Sequence, residues 1–172
     1  MNGGAAAEEA LRGAVVAALP RLRRFCHALA GGSADGDDLL QSTVERALGH
    51  MDQFTPGTQV ESWMFRIAQN LHIDRGRAAR RRGVAVPVEE AYDLAGDDGR
   101  QVVEGRSELA VALAALATVP DDQRAAFVLV VVEGLSYREA ADILDVPIGT
   151  IMSRIARARG RLQQALQGGA AT

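Results

Sequence analysis

Apolar residues recur every three or four positions over most of the chain, the period of helices that bury one face. From about Glu8 to Leu29 the pattern is helical, with a break expected at Pro20 and another at "AGGSADGD". Leu39, Leu40, Val44, Ala47 and Leu48 make the stripe of a second helix ending near Met51, with Asp35, Asp37 or Asp38 as its cap. The Pro56-Gly57 step marks a turn, and Ser62 is expected to cap a long helix that reaches Arg82. Residues 83–106 then lose periodicity and gain acids, glycines and a proline, so they read as a linker. Periodicity returns at Ser107: "ELAVALAALATV" forms one helix stopped by Pro120, and Asp121 or Asp122 opens the next. Val130–Val132 read as buried helix, because a lone strand would have no partner. The expected fold class is all-α: two small helical domains, 8–82 and 107–168, joined by a flexible acidic linker, 83–106.

The second domain holds the clearest local signal. Ser136-Tyr137-Arg138-Glu139 fits a capping box, in which serine and glutamate satisfy each other's helix-start amides. It starts the short helix "YREAADIL", which Asp145-Val146-Pro147 ends, and Pro147 suits the opening of a further helix. Two short helices joined by a tight turn are a helix-turn-helix pattern, and Ala140 and Ala141 are small enough to let them cross closely. On a wheel, Ile148, Ile151, Ile155, Ala158 and Leu162 fall within roughly 80° and form the face to be buried. Thr150, Ser153, Arg157, Gly160 and Arg161 fall opposite, with Arg154 and Arg159 on the flanks. Slim polar side chains and guanidinium groups on one face suit a major groove. No carboxylate follows Asp145 to repel phosphate.

Composition sharpens this picture. The chain is formally acidic at −3, yet nine of its 19 basic residues, all of them arginine, cluster within 75–82 and 154–161. Arginine's planar fork suits phosphate and guanine. An acidic balance with confined basic patches limits unspecific DNA binding. Aromatics make up only 4%, which fits closely packed helices of alanine and leucine. Cys26 is the single cysteine, so no internal disulfide forms, and its neighbour His27 points about 100° away along a helix, which argues against a nucleophile pair. His27, His50 and His72 are scattered, so no metal and no cofactor is expected. No acid–base or nucleophile constellation suggests an enzyme. The longest apolar run, "FVLVVVEG", is too short to cross a membrane, so a cytoplasmic protein is expected.

"LATVPDDQRAAFVLVVVEGLSYREAADILDVPIGTIMSRIARARGRL" resembles the second conserved domain of bacterial sigma factors, in the extracytoplasmic-function (ECF) branch of the sigma-70 family. "GDDLLQSTVERAL" and "MDQFTPGTQVESWMFRIAQNLHIDRGRAARRR" are similar to that family's core-binding and promoter-opening segments, in the expected order. The helix-turn-helix alone would suit a LuxR-type regulator nearly as well. The resemblance implies partners: core RNA polymerase, met at the clamp helices of its largest catalytic subunit; promoter DNA; and an anti-sigma factor, with the free protein monomeric.

It also implies roles for single residues. Thr150, Ser153, Arg154, Arg157, Arg159 and Arg161 would read or grip the −35 element, with Met152 standing where relatives often carry arginine or lysine. Trp63, Asn70, Arg75, Arg77, Arg80 and Arg81 would serve the opened −10 element, together with Arg82. Asn70 is either a reader of a flipped base or an amide tucked against the loop, and Trp63 is either a stacking platform or core. Asp38, Leu39, Gln41 and Thr43 would contact polymerase, with Ser42 replacing the usual glutamate. Two other functions stay open: a sigma-like decoy that titrates an anti-sigma factor, and a stand-alone repressor, for which no dimerisation seam is visible.

Overall fold

The computed structural model describes residues 3–83 and 110–169, and every regular element among them is helical. The first unit comprises α1 (Gly3–Ala30), α2 (Ser33–Gly49), a single 3₁₀ turn at Met51–Gln53, and α3 (Val60–Arg81). The second comprises α4 (residues 110–117), α5 (Asp121–Phe127) continuing into a π turn at Val128–Val132, α6 (Tyr137–Leu144) and α7 (Ile148–Gly169). The all-α expectation is met; the expected linker lies, from residue 84 onward, outside the described residues.

Pro20 does not break α1, contrary to expectation; the helix runs through it. An internal proline costs roughly 3 kcal/mol. Burying each large side chain of the stripe is worth about 1.5–3 kcal/mol, and Val15, Leu22, Phe25 and Leu29 are all almost wholly buried. The stripe on both sides of the proline therefore wins. Helix starts also differ from expectation. Helix α2 begins at Ser33 with Gly32 before it and no side-chain cap, so Asp35, Asp37 and Asp38 lie inside the helix. Asp37 turns to α1 instead, 2.8 Å from His27 Nε2 and 3.3 Å from Arg23 Nε. Helix α3 begins at Val60, which puts Ser62 inside the first turn rather than at the cap. The turn at Pro56-Gly57 forms as expected, with Gly57 at φ 89° where a side chain would be strained.

Phe25 and Phe65 meet at 4.9 Å between ring centres and join α1 to α3. From there one buried apolar cluster continues through both units, from Val15 to Ile155, because α1 and α3 pack against α5, the π turn and α6. Within the second unit the capping box is present in full: Ser136 Oγ accepts from the Glu139 amide, and the Glu139 carboxylate accepts from the Ser136 amide. Asp145 adopts the left-handed conformation, φ 52°, and stops α6. Ala140 and Ala141 are buried where α6 meets α7. Only the first part of the valine-rich segment is buried; Val131 and Val132 are exposed where the π turn ends.

Gly36 marks the closest approach of α2 to α1. A Cβ there would stand 2.5 Å from His27 Cδ2 and 2.8 Å from His27 Cα. Alanine at a helical glycine normally adds about 0.5–1 kcal/mol of stability, but a backbone clash of this kind costs about 1–3 kcal/mol. Gly36→Ala should therefore lower the melting temperature, whereas Gly13→Ala in α1, where nothing lies within 4 Å, should raise it. Thermal unfolding followed by circular dichroism checks both signs.

Candidate nucleic-acid interface

The buried face of α7 is made by Ile151, Ile155 and Ala158, none more than 2% exposed, with Leu162 half-buried. Ile148, expected on that face, is instead 37% exposed, at the first position of the helix. Arg157, Arg159, Gly160, Arg161 and Met152 point to solvent. Thr150 and Ser153 are half-buried, and Ser153 Oγ donates to the Thr150 carbonyl at 3.0 Å. Arg157 folds back one turn: its Nε donates to the Ser153 carbonyl at 3.3 Å and its Nη2 to Ser153 Oγ at 3.2 Å. That holds the guanidinium over the outer face of the helix.

Arg154 is placed differently from its neighbours. Its Nε lies 3.2 Å from Asp122 Oδ2 and only 20% of its side chain is exposed, so it ties α7 to the start of α5. Arg154 was expected at phosphate, and here it is paired within the protein. Beside it, Arg124 is buried and pairs with Asp121. Asp121 also faces His72 of α3, whose Nε2 lies 3.3 Å from its Oδ2. His72 first, and Arg124 next, outweigh desolvation and hold the Asp121 carboxyl at about 2, below its usual 3.8.

On α3, Asn70 is exposed, and so are Arg77, Arg80, Arg81 and Arg82, with Arg77 near Asp74 at 3.8 Å. Arg75 is exposed too, and its Nη2 donates to Ser42 Oγ at 2.6 Å and to the Asp38 carbonyl at 3.1 Å, fastening α3 to α2. Trp63, half-buried, packs against the buried cluster, edge-on to Phe54 with ring centres 5.4 Å apart. On α2, Asp38 and Gln41 are exposed, but Leu39 and Thr43 are fully buried, Thr43 donating to the Leu39 carbonyl at 2.7 Å. The inward stripe of α2 runs through both. Glu45, unnoticed in the sequence, shares the outer face and accepts from Gln41 Nε2 at 2.9 Å; its place one turn after Gln41 was the available signal.

The cross-unit contacts were also missed. Glu133 of the second unit is met by Arg21 and Arg24 of α1, and Arg66 of α3 donates to the Asp142 carbonyl of α6. These pairs stand 76 to 112 residues apart, a separation no local pattern encodes.

Comparison with known proteins decides the family. A family model described as sigma-70, region 4 matches residues 109–162, and one described as the Sigma2 domain of PhyR matches residues 15–69. The ECF RNA polymerase sigma factor EcfG of Rhodopseudomonas palustris is 38% identical, over 92% of this chain and 86% of its own. The chain belongs to the ECF RNA polymerase sigma factors. SigM of Mycobacterium tuberculosis is 38% identical to this sigma factor over 85% of the chain and 71% of its own length. In three dimensions the sigma factor is similar to RpoE of Bartonella quintana, solved in complex with the anti-sigma factor NepR. The TM-score is 0.78 at 31% identity, covering 91% of this chain and 96% of that one. That coverage takes in both units.

The depressed carboxyl of Asp121 gives this sigma factor an acid-sensitive seam. A carboxyl whose folded pKa lies below its unfolded value contributes its stability in full above the unfolded pKa, and that contribution is lost as pH falls through 3.8 towards about 2. Asp121→Asn should therefore cost stability at about pH 6 and much less near pH 2.5. Urea unfolding of both proteins at the two pH values checks the narrowing gap.

Proposed function

We propose that this sigma factor loads core RNA polymerase onto promoters by dividing recognition between its two units. Residues 8–82 hold polymerase and read the opened −10 element; residues 107–168 read the −35 element as duplex; 83–106 connects them. The observation that carries the reading is α7, with Ile151, Ile155 and Ala158 inward and Arg157, Arg159 and Arg161 outward, directly after a fully formed capping box and turn. A helix held by one apolar stripe with arginines on its free face is the form in which a recognition helix enters a major groove.

Within that frame, Arg157, steadied by Ser153, reads a base edge, and Thr150 and Ser153 line the same face. Arg159 and Arg161 take phosphates. Arg154 acts on this interface through its contact with Asp122, holding α7 at its angle. On α3, exposed Asn70 takes the opened strand, and Arg77, Arg80, Arg81 and Arg82 follow its backbone. Asp38, Gln41 and Glu45 form the polar outer face of α2 that meets the clamp helices of polymerase. The protein acts as a monomer in the cytoplasm; among the described residues no helix is long and apolar enough to cross a membrane. An anti-sigma factor as its inhibitor is supported by the structural relative, which was solved with one bound.

A decoy that titrates an anti-sigma factor is the second reading, favoured by one observation: the family model matching residues 15–69 is that of PhyR's sigma-like domain. The free arginine face of α7 weighs against it, since a decoy has no use for one.

Transcription with purified core polymerase separates the two. The sigma factor should give promoter-directed transcripts, and a decoy none. Arg157→Ala should weaken holoenzyme binding at the −35 element by about 1–3 kcal/mol. Arg154→Ala should weaken it less and lower the melting temperature instead. Footprinting and thermal unfolding of both variants check the contrast.

A further inference from the structure

The leading end of α7 carries two large apolar side chains in water. Met152 is 54% exposed and Ile148 37%. One turn separates them, so both lie on the same side of the helix. Single exposed apolar residues are ordinary on a protein surface. Here a pair of them stands where a recognition helix first meets base edges. Between Ile148 and Ala156 the only charged side chain is Arg154, and Asp122 takes it. The first two turns therefore offer a groove no free charge.

What surrounds the pair says what covers it. At 100° per residue Gly149, Ser153, Ala156 and Gly160 fall within about 60° of arc, opposite the buried Ile151, Ile155 and Ala158. A Cβ at Gly149 or Gly160 would meet nothing within 4 Å among the described residues, so this strip lies open. Met152 stands about 40° beyond one edge of the strip and Arg157 about 40° beyond the other. Farther along the helix, exposed Arg159 lies on the Met152 side and exposed Arg161 on the Arg157 side. A cation on each flank matches the phosphate walls of a major groove. That charge complementarity favours DNA over an apolar protein surface as the cover of Met152.

We propose that Met152, with Ile148 beside it, reads the C5-methyl group of a thymine in the −35 duplex. Thymine alone presents a methyl group in the major groove; guanine, adenine and cytosine offer hydrogen-bonding atoms there. A thioether is at most a weak acceptor, and an isoleucine side chain has no polar atom. Neither replaces the water that those atoms would lose, so the wrong base is penalised. Over a thymine, the flexible methionine fills the space above the methyl group and buries it. Met152 and Arg157 are five residues, or about 7.5 Å, apart along the helix. The thymine thus lies about two base pairs from the pair that Arg157 meets. The inference rests on the assignment of α7 as the −35 reader, and it adds which base its leading end selects.

Deoxyuridine differs from thymidine by that methyl group alone, so it isolates the contact. The probe is a promoter duplex mapped from transcription starts, with each −35 thymine on either strand replaced in turn by deoxyuridine. Holoenzyme assembled from core polymerase and the full-length sigma factor should bind one of these duplexes about fourfold more weakly, the worth of one buried methyl-sized group. Holoenzyme with Met152→Ala should bind that duplex and its thymine parent equally, and Met152→Leu should keep most of the preference. A merely structural methionine would not change sensitivity to a methyl group on DNA. The proposal fails if the −35 element holds no thymine, if wild type ignores every replacement, or if Met152→Ala keeps the wild-type preference. Arg157→Ala separates the two levels. If it weakens binding while deoxyuridine does nothing, only the thymine contact falls; if it too leaves binding unchanged, the assignment of α7 falls.

Discussion

A carboxylate removed from water must find charged partners nearby, and Glu133 finds both of its partners on a helix of the other unit. That requirement orders much of what surrounds it. The π turn lets the chain end α5 with Glu133 turned towards α1 and with Val131 and Val132 left outside. Arg21 and Arg24 sit one turn apart, so both forks reach the same two oxygens. The apolar cluster then closes round the contact without a seam between units. Apolar burial supplies most of the holding energy, and the ion cluster decides where the surfaces meet.

Arginine performs two tasks in this molecule. Arg21, Arg24, Arg66, Arg75 and Arg154 hold helices together by reaching carboxylates or backbone carbonyls. Arg157, Arg159 and Arg161, with the run from Arg77 to Arg82, stay at the surface. The guanidinium serves both because it remains charged when partly desolvated and bonds in two directions at once. A lysine in place of Arg24 would meet Glu133 as a single point charge and lose the paired geometry.

The local features were legible in the sequence because their causes are local. The capping box at Ser136 and Glu139, the turn at Pro56-Gly57, the two small alanines and the stripe of α7 all depend on residues a few positions apart. What the sequence concealed depends on tertiary packing. Pro20 reads as a breaker until the buried stripe on either side of it is weighed. Asp37 reads as a cap until His27 comes within reach. Arg154 and Arg75 read as free cations because Asp122 and Ser42 stand more than thirty residues away in the chain. Leu39 and Thr43 were placed at a partner surface by family resemblance, although the period of α2 turns both inward.

The most direct measurement of this arrangement is the distance between units in solution. Cysteines introduced at exposed Ala17 of α1 and Gln164 of α7 would take spin labels selectively, since burial pushes the native Cys26 thiol up to about 12 and keeps it unreactive. Pulsed electron spin resonance on the free protein should give one short, narrow distance distribution. A broad distribution would contradict the account.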